Sequence, residues 1–217
     1  MQLTISKQDL LAGLTATQGI IEKRNTMPIL SNVLMDADDK RLRMVATDLE
    51  IGVRLEVPAK VKSAGKITVP ARKLLDIVKE LPDQDLEFKL VENQQLEFKV
   101  GKFRSRIAGL PADEYPNLPS YEDGKFFEVG SEALKRMVAR TRYAVSTDET
   151  RYNLNGIYFE KAEKGKLLRL VATDGHRLAM TDSSEMGDLG DGWGERGLIV
   201  PRKAIAELQK MLDHNEK

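Results

Sequence analysis

The sequence predicts an α+β protein made of two copies of one unit, with helices on one face of antiparallel sheets. Three observations carry this. First, "MVATDLE" at 44–50 recurs as "LVATDGH" at 170–176, and "TVPARKLLDIVKEL" at 68–81 recurs as "IVPRKAIAELQKML" at 199–212. Upstream, "LTISKQDLLAGL" (3–14) pairs with "FEVGSEALKRMV" (127–138), and "ILSNVLMDADDKRLR" (29–43) with "NLNGIYFEKAEKGKLLR" (153–169). Four blocks in one order are the signature of a duplicated unit. Second, apolar residues fall at period two through the middle of each copy, as in half-buried strands; third, they fall at helical spacing toward its ends.

Taken in order, Leu3 and Ile5 alternate as a strand at a sheet edge, and Ser6 or Ser131 stands as the N-cap of a helix. Leu10, Leu11 and Leu14 in copy one, and Leu134, Met137, Val138 and Thr141 in copy two, form the helices' apolar faces. "NVLMDADDKRLRMVATDLEIGVRLEV" alternates as strands, with "DADDK" as a hairpin turn. Pro70 and Pro201 open a second helix, where a missing N–H is harmless. Copy one continues with three strands in "DLEFKLVENQQLEFKVGKFRSRIAGL" (85–110), whereas copy two stops at "MLDHNEK". The expected domains are therefore 1–120 and 121–217, joined by the linker "PNLPSYEDGK" (116–125), the second incomplete for want of its C-terminal strands. "GDLGDGWGERG" (187–197) lacks the spacing of a nucleotide loop and reads as a flexible hairpin connection.

Hydrophobic residues make up 41% and charged residues 31%, a globular profile with material for a core. No cysteine is present, which excludes disulfides, thiolate metal sites and cysteine nucleophiles; two histidines are too few for a His-rich metal site. No cofactor is expected. "MQLTISKQDLL" has neither a charged n-region nor a long apolar h-region, and no run approaches a membrane span, so the cytoplasm is the expected compartment and no membrane partner is expected.

Lys plus Arg (34) equals Asp plus Glu (34), so only the distribution of charge is informative. Residues 131–143 carry Lys135, Arg136, Arg140 and Arg142 against Glu132, and 201–212 carry Arg202, Lys203 and Lys210 against Glu207. On a helical wheel Lys135, Arg136 and Arg142 oppose the apolar positions, a basic solvent face. Such faces are commonly mere solvated surface, yet their repetition, without a base-reading motif, suits sequence-independent phosphate contact.

Asp174 and His176 are two apart on a strand-like stretch, so an acid/base pair is geometrically allowed. Copy one keeps Thr47 and Asp48 but has Glu50 at the histidine's place. An element shared by both copies is better explained as a turn, with Thr and Asp bonding backbone N–H groups and Gly175 permitting the bend.

"MPILSNVLM", "VATDLEI", "TVPARKLLDI", "LPADEYPNL", "RYNLNGIYFE", "VATDGHRLAM" and "IVPRKAIAEL" together resemble the bacterial DNA polymerase III beta subunit family, the sliding clamps, over essentially the whole chain. The resemblance implies a DNA-clamp fold of three duplicated domains per chain, two chains closing head to tail into a ring around double-stranded DNA; this chain holds fewer than two domains, and the third is absent. It implies a processivity factor, not an enzyme, that tethers the replicative polymerase, clamp loader and repair proteins through a peptide-binding cleft. Carried over by position, the cleft includes Arg151, Thr173, Gly175, His176, Arg177 and Leu178, with Asn153 where the family often has an aromatic residue. The DNA contacts are Arg24, Arg72, Lys73, Tyr152, Arg202 and Lys203, and the dimer-interface edge is "GKFRSRI" with Lys102, Arg104 and Arg106. A small hydrolase using Asp174 and His176, and a bare peptide-binding module that does not encircle DNA, are the alternative readings.

Overall fold

Alternation in "QLTI" makes β1 (Gln2–Ile5), and Ser6 ends it by accepting a hydrogen bond from the Asp9 N–H at 3.0 Å, the N-cap of α1 (Lys7–Gln18). The computed structural model describes residues 1–21, 27–119, 128–185 and 197–214. It divides into two units, Met1–Pro119 and Ser120–Lys217.

In unit 1, a 3-10 turn (Pro28–Ser31) leads into β2 (Asn32–Asp38), β3 (Arg41–Thr47), β4 (Gly52–Pro58), β5 (Lys60–Ser63) and β6 (Gly65–Pro70). Then come α2 (Ala71–Glu80), β7 (Leu86–Val91), β8 (Gln95–Val100) and β9 (Phe103–Ala108). The strands form a four-stranded sheet, β4-β3-β2-β6, and a five-stranded sheet, β5-β1-β7-β8-β9, with all pairings antiparallel. β1 is thus interior, not the edge that its alternation indicated; periodicity reports which face is wet and is silent on neighbours. Pro70, expected to open α2, instead closes β6 and caps the helix, whose first residue is Ala71, one position later.

One core joins both sheets to the helices. Leu10 and Leu14 of α1 and Leu74, Leu75 and Val78 of α2 meet Val33, Met35, Leu42, Met44 and Ile67 of one sheet and Leu3, Phe88 and Phe98 of the other. Gly13 lets α1 approach β3: a Cβ there would lie 2.5 Å from Met44 Sδ. Lys7 Nζ donates to the carbonyls of Lys79 (3.0 Å) and Leu81, satisfying the C-terminal end of α2.

The other face of the four-stranded sheet is covered by the segment after β9. Leu110 exchanges main-chain hydrogen bonds with Thr68 at 3.0 and 3.1 Å, and Tyr115 packs with Ile29, Leu30 and Val45. The Tyr115 hydroxyl accepts from the buried Thr47 N–H at 3.2 Å and donates to the Asn32 carbonyl at 3.3 Å.

Unit 2 repeats the first sheet. Its α3 (Ser131–Thr141) precedes β10 (Gly156–Ala162), β11 (Leu167–Thr173), β12 (Leu178–Ser183), β13 (Leu198–Pro201) and α4 (Arg202–His214). The strand order β12-β11-β10-β13 is the counterpart of β4-β3-β2-β6. Gly130, not Ser131, is the N-cap of α3, and Ala133 replaces Leu134 among its fully buried residues. Residues 128–130 form no strand, and the described residues of unit 2 contain a single sheet. Leu198 and Ile199 are 45% and 41% exposed, whereas Ile67 and Thr68, at the matching places in unit 1, are at 0%. Residues 187–196 of that glycine-rich stretch and part of the linker lie outside the described residues.

Burial pushes the Tyr115 hydroxyl up to about 12, against about 10 in an unfolded chain. The folded state therefore keeps its proton longer, so this contribution to stability is complete below pH ~10 and disappears as pH rises toward 12. Tyr115→Phe leaves the Thr47 N–H without its acceptor and is expected to lower stability by about 1–3 kcal/mol. Urea unfolding at neutral and alkaline pH checks both points, since the variant should also lose less stability than the parent above pH ~10.

Candidate functional site

β11 ends at Thr173 in a turn built from its own side chains. Thr173 Oγ1 donates to the Arg177 carbonyl at 2.7 Å and accepts from the Gly175 N–H at 3.1 Å. Asp174 Oδ1 accepts from the N–H groups of His176 and Arg177, both at 3.0 Å, and Oδ2 accepts from Arg177 Nε at 3.0 Å. Unit 1 has the same wiring at 47–51: Thr47 Oγ1 donates to the Ile51 carbonyl at 2.8 Å, and Asp48 Oδ1 accepts from Glu50 and Ile51 N–H groups at 3.0 and 2.8 Å. The left-handed position of the turn is Gly175 (φ 90) in unit 2 and Leu49 (φ 78) in unit 1.

This geometry decides the role of Asp174. The main-chain N–H groups of His176 and Arg177, then the Arg177 guanidinium, hold its carboxyl down at about 2. A carboxylate so stabilised is a poor proton acceptor near neutrality. Its bond to His176 is made by the histidine's main chain, so the two residues are joined as a turn.

Around the turn stand exposed side chains from three elements. The Arg177 guanidinium carbon lies 5.6 Å from the centroid of the Tyr143 ring, in the 3-10 turn that follows α3. Arg151 Nε is 3.3 Å from Asp148 Oδ2, and an Arg151 terminal nitrogen would be 3.5 Å from a Cβ on Gly175. Leu178 is 63% exposed and Met180, two residues on along β12, 57%. Thus Arg151, Thr173, Gly175, His176, Arg177 and Leu178 gather at one place. Asn153 sits on the 3-10 turn Tyr152–Leu154, and among the described residues no hydrogen bond joins it to Thr173–Leu178. Sequence reasoning missed Tyr143, the last residue of the basic stretch, and Met180, which its period-two relation to Leu178 could have revealed.

The cations are less free than their count implied. Lys135 pairs with Asp213 at 3.0 Å, Arg136 with Glu185 at 2.5 Å and Lys210 with Glu207 at 2.6 Å, while Arg142 bonds Gln209. Arg72, Lys73 and Arg202, each in the first turn after a proline, are exposed and have no ion-pair partner among the described residues. Lys203 is half-buried and Tyr152 is 82% exposed; Arg24 lies outside the described residues. Arg72 and Lys73 also border a groove of about 510 Å³ between α1 and α2, lined by Leu14, Ile21 and Ile77.

β9 is an edge strand, with Lys102 in the turn before it. Arg104 and Arg106 reach across to Glu97 on β8 at 3.7 and 2.9 Å, and the hydrogen bond from Arg106 lowers the Glu97 carboxyl below its ordinary range. Among the described residues, no cluster of three or more His, Cys, Asp or Glu side chains could hold a metal, and no helix is long and apolar enough to cross a membrane.

Duplicated sheets, helices on one face and an exposed turn wired by its own side chains mark a duplicated α+β protein. The N-terminal domain of the DNA polymerase III beta subunit matches residues 1–119, and its central domain matches 128–217. The chain belongs to the DNA polymerase III beta subunit family. A beta sliding clamp of Caulobacter vibrioides is 40% identical over 217 residues, spanning 98% of this chain and 58% of the relative. The solved Caulobacter crescentus pol III beta superposes with a TM-score of 0.90 at 40% identity, covering 99% of this chain and 58% of that one. A sliding clamp of Bartonella birtlesii, bound to griselimycin, gives 0.89 at 39% identity, covering 99% of this chain and 57% of that one. The chain therefore spans little more than half the length of the relatives it matches.

The lowered Asp174 carboxyl is directly measurable. Its folded value lies below that of an unfolded aspartate at about 3.9, so the turn's contribution is complete above pH ~4 and is lost as pH falls through about 2. A carboxyl-carbon NMR titration should place the midpoint near 2; a midpoint at or above ~4 would contradict the three hydrogen bonds.

Proposed function

We propose that this chain is part of a DNA polymerase processivity factor, a clamp that encircles duplex DNA and holds polymerase on it without a chemical step of its own. The observation that carries the reading is repeated: the second helix of each unit opens on adjacent cations, Arg72–Lys73 and Arg202–Lys203, at the start of α2 and α4. Cations on helix starts, with no base-reading element among the described residues, suit phosphate contact that ignores sequence. Tyr152, and Arg24 by position, complete the proposed DNA face.

Partners dock on the turn of unit 2, where Arg151, Thr173, Gly175, His176, Arg177 and Leu178, with Asn153 beside them, form the wall of a peptide cleft. Those partners are the replicative polymerase, the clamp loader and repair proteins in the cytoplasm. The β9 edge, with Lys102, Arg104 and Arg106, pairs with a second copy of the full-length protein head to tail, as an unpaired strand edge readily does.

The first test is salt. Binding of two duplexes of unrelated sequence, followed by fluorescence anisotropy, should be weak and equal, with log affinity falling linearly in log salt. Arg72→Gln and Lys73→Gln should each flatten the slope by about 0.9. A slope unmoved by both changes, or a preference between duplexes, would sink the DNA face. Joined to a third unit, the protein should stay on nicked circular DNA and slide off once that DNA is linearised. Equal loss from both would contradict encirclement.

A further inference from the structure

The two helices of unit 1 are fastened at one end. Lys7 Nζ, at the start of α1, donates to the Lys79 and Leu81 carbonyls at the end of α2, and Gln8 Nε2 donates to Asp83 Oδ2 at 3.1 Å. The helices therefore run antiparallel, and the end of α1 stands beside the start of α2. There the side chains of Gln18, Arg72 and Lys73 make no hydrogen bond or ion pair across the gap among the described residues. A groove of about 510 Å³ opens in its place, bordered by Arg72 and Lys73 and lined by the buried Leu14 and the half-buried Ile21 and Ile77. That volume suits a small molecule, whose sites run from about 300 to 1,000 Å³. Unit 2 ties the matching helices twice along α3: Lys135 pairs with Asp213 at 3.0 Å, and Arg142, at the place of Gln18, bonds Gln209. The duplicated scaffold thus does not itself require the opening in unit 1.

The charges at this end favour an anion. Arg72 and Lys73 are exposed and face a single acid on the groove, Asp76, with which neither forms an ion pair. The start of α2 adds to the positive field, because Pro70 caps it without a side-chain hydrogen bond and its first turn holds no acidic residue. Its leading N–H groups and the positive end of the helix dipole face outward. A purely polar anion would leave Ile21 and Ile77 wet, and an uncharged apolar molecule would leave the two cations unanswered. A molecule with an anionic head and an apolar chain answers both: a carboxylate can take two parallel hydrogen bonds from a guanidinium, and each methylene removed from water adds to affinity.

We infer that the groove between α1 and α2 binds a small anionic amphiphile, an alkyl chain ending in a carboxylate, with its head on Arg72 and Lys73 and its chain against Leu14, Ile21 and Ile77. The site belongs wholly to unit 1 and needs nothing from the Thr173–Leu178 turn. Because the proposed DNA face uses the same two cations, occupancy withholds them from a phosphate backbone; that consequence, unlike the site itself, rests on the DNA reading above.

The probes are octanoate, 1-octanol and acetate, titrated into the isotope-labelled 217-residue chain and followed by NMR. Octanoate should move the amides of Leu14, Ile21, Arg72 and Ile77. It should bind about tenfold tighter than 1-octanol, the size of one charge-assisted contact, and about a hundredfold tighter than acetate, as burial of a few methylene groups gives. Arg72→Gln combined with Lys73→Gln, both at exposed positions, should bring octanoate to within about threefold of 1-octanol. Ile77→Ser should weaken both alkyl probes and leave acetate alone; if that variant does not fold, Gln18→Leu, which extends the apolar lining, should tighten both. No binding of octanoate, equal binding of octanoate and 1-octanol, equal binding of octanoate and acetate, or shifts confined to residues away from the groove would each overturn the site. With octanoate bound, affinity for a DNA duplex should fall as far as it does in the double variant. A duplex affinity unmoved in a chain that holds octanoate at the groove removes Arg72 and Lys73 from the DNA face and overturns the competition, while the site stands.

Discussion

The antiparallel pairing of β2 with β3, and of β10 with β11, decides which side chains of each unit meet the helices and which do not. Met35 lies opposite Met44 and Phe159 opposite Leu170, and all four point into their cores. With a side-chain period of two, a slip of one residue would turn each apolar set outward, so the buried face locks the register. The register in turn fixes where β3 and β11 end, and the Thr–Asp turn follows from that position in both units. Helices packed on the inner face present their remaining side to solvent, and there the cations of α2 and α4 stand.

From this frame the two units diverge by what covers the sheet's other face. In unit 1 the segment around Tyr115 lies across it, and the buried hydroxyl closes a polar chain through Thr47 and Asn32. In unit 2 the same face shows Met180, Ile199 and Leu178 to solvent. Identical turn wiring therefore serves two ends: a structural corner in unit 1, and in the proposed reading a docking wall in unit 2. The side chains that differ between copies, Gly175 for Leu49 and His176 for Glu50, carry that difference.

Much of this was legible in the sequence, and the misses have physical causes. The duplication, the hairpin at Asp39 and the three strands after α2 are local patterns that survive in any register. The interior place of β1 depends on β5 and β7, which no local pattern encodes. Ser131 lost the cap to Gly130 because capping is set by the backbone of the entering chain, extended at Gly130 (φ −60, ψ 117). Ion pairs such as Lys135–Asp213 and Arg136–Glu185 join elements far apart in sequence, so counting charges overstated the free cations. The candidate turn was readable as structure from its repetition, whereas the stacking of Arg177 on Tyr143 required the fold.

In the proposed reading one chain carries two separate binding surfaces, helix starts for duplex DNA and the Thr173–Leu178 turn for peptides. Amide chemical-shift mapping of the isotope-labelled chain tests this most directly. Duplex DNA should move amides at the starts of α2 and α4 and leave the turn still, and an apolar peptide should move the turn and Met180 and leave those helix starts still. DNA that shifts the turn, or a peptide that shifts the helix starts in its place, would mean that the two surfaces are not separate.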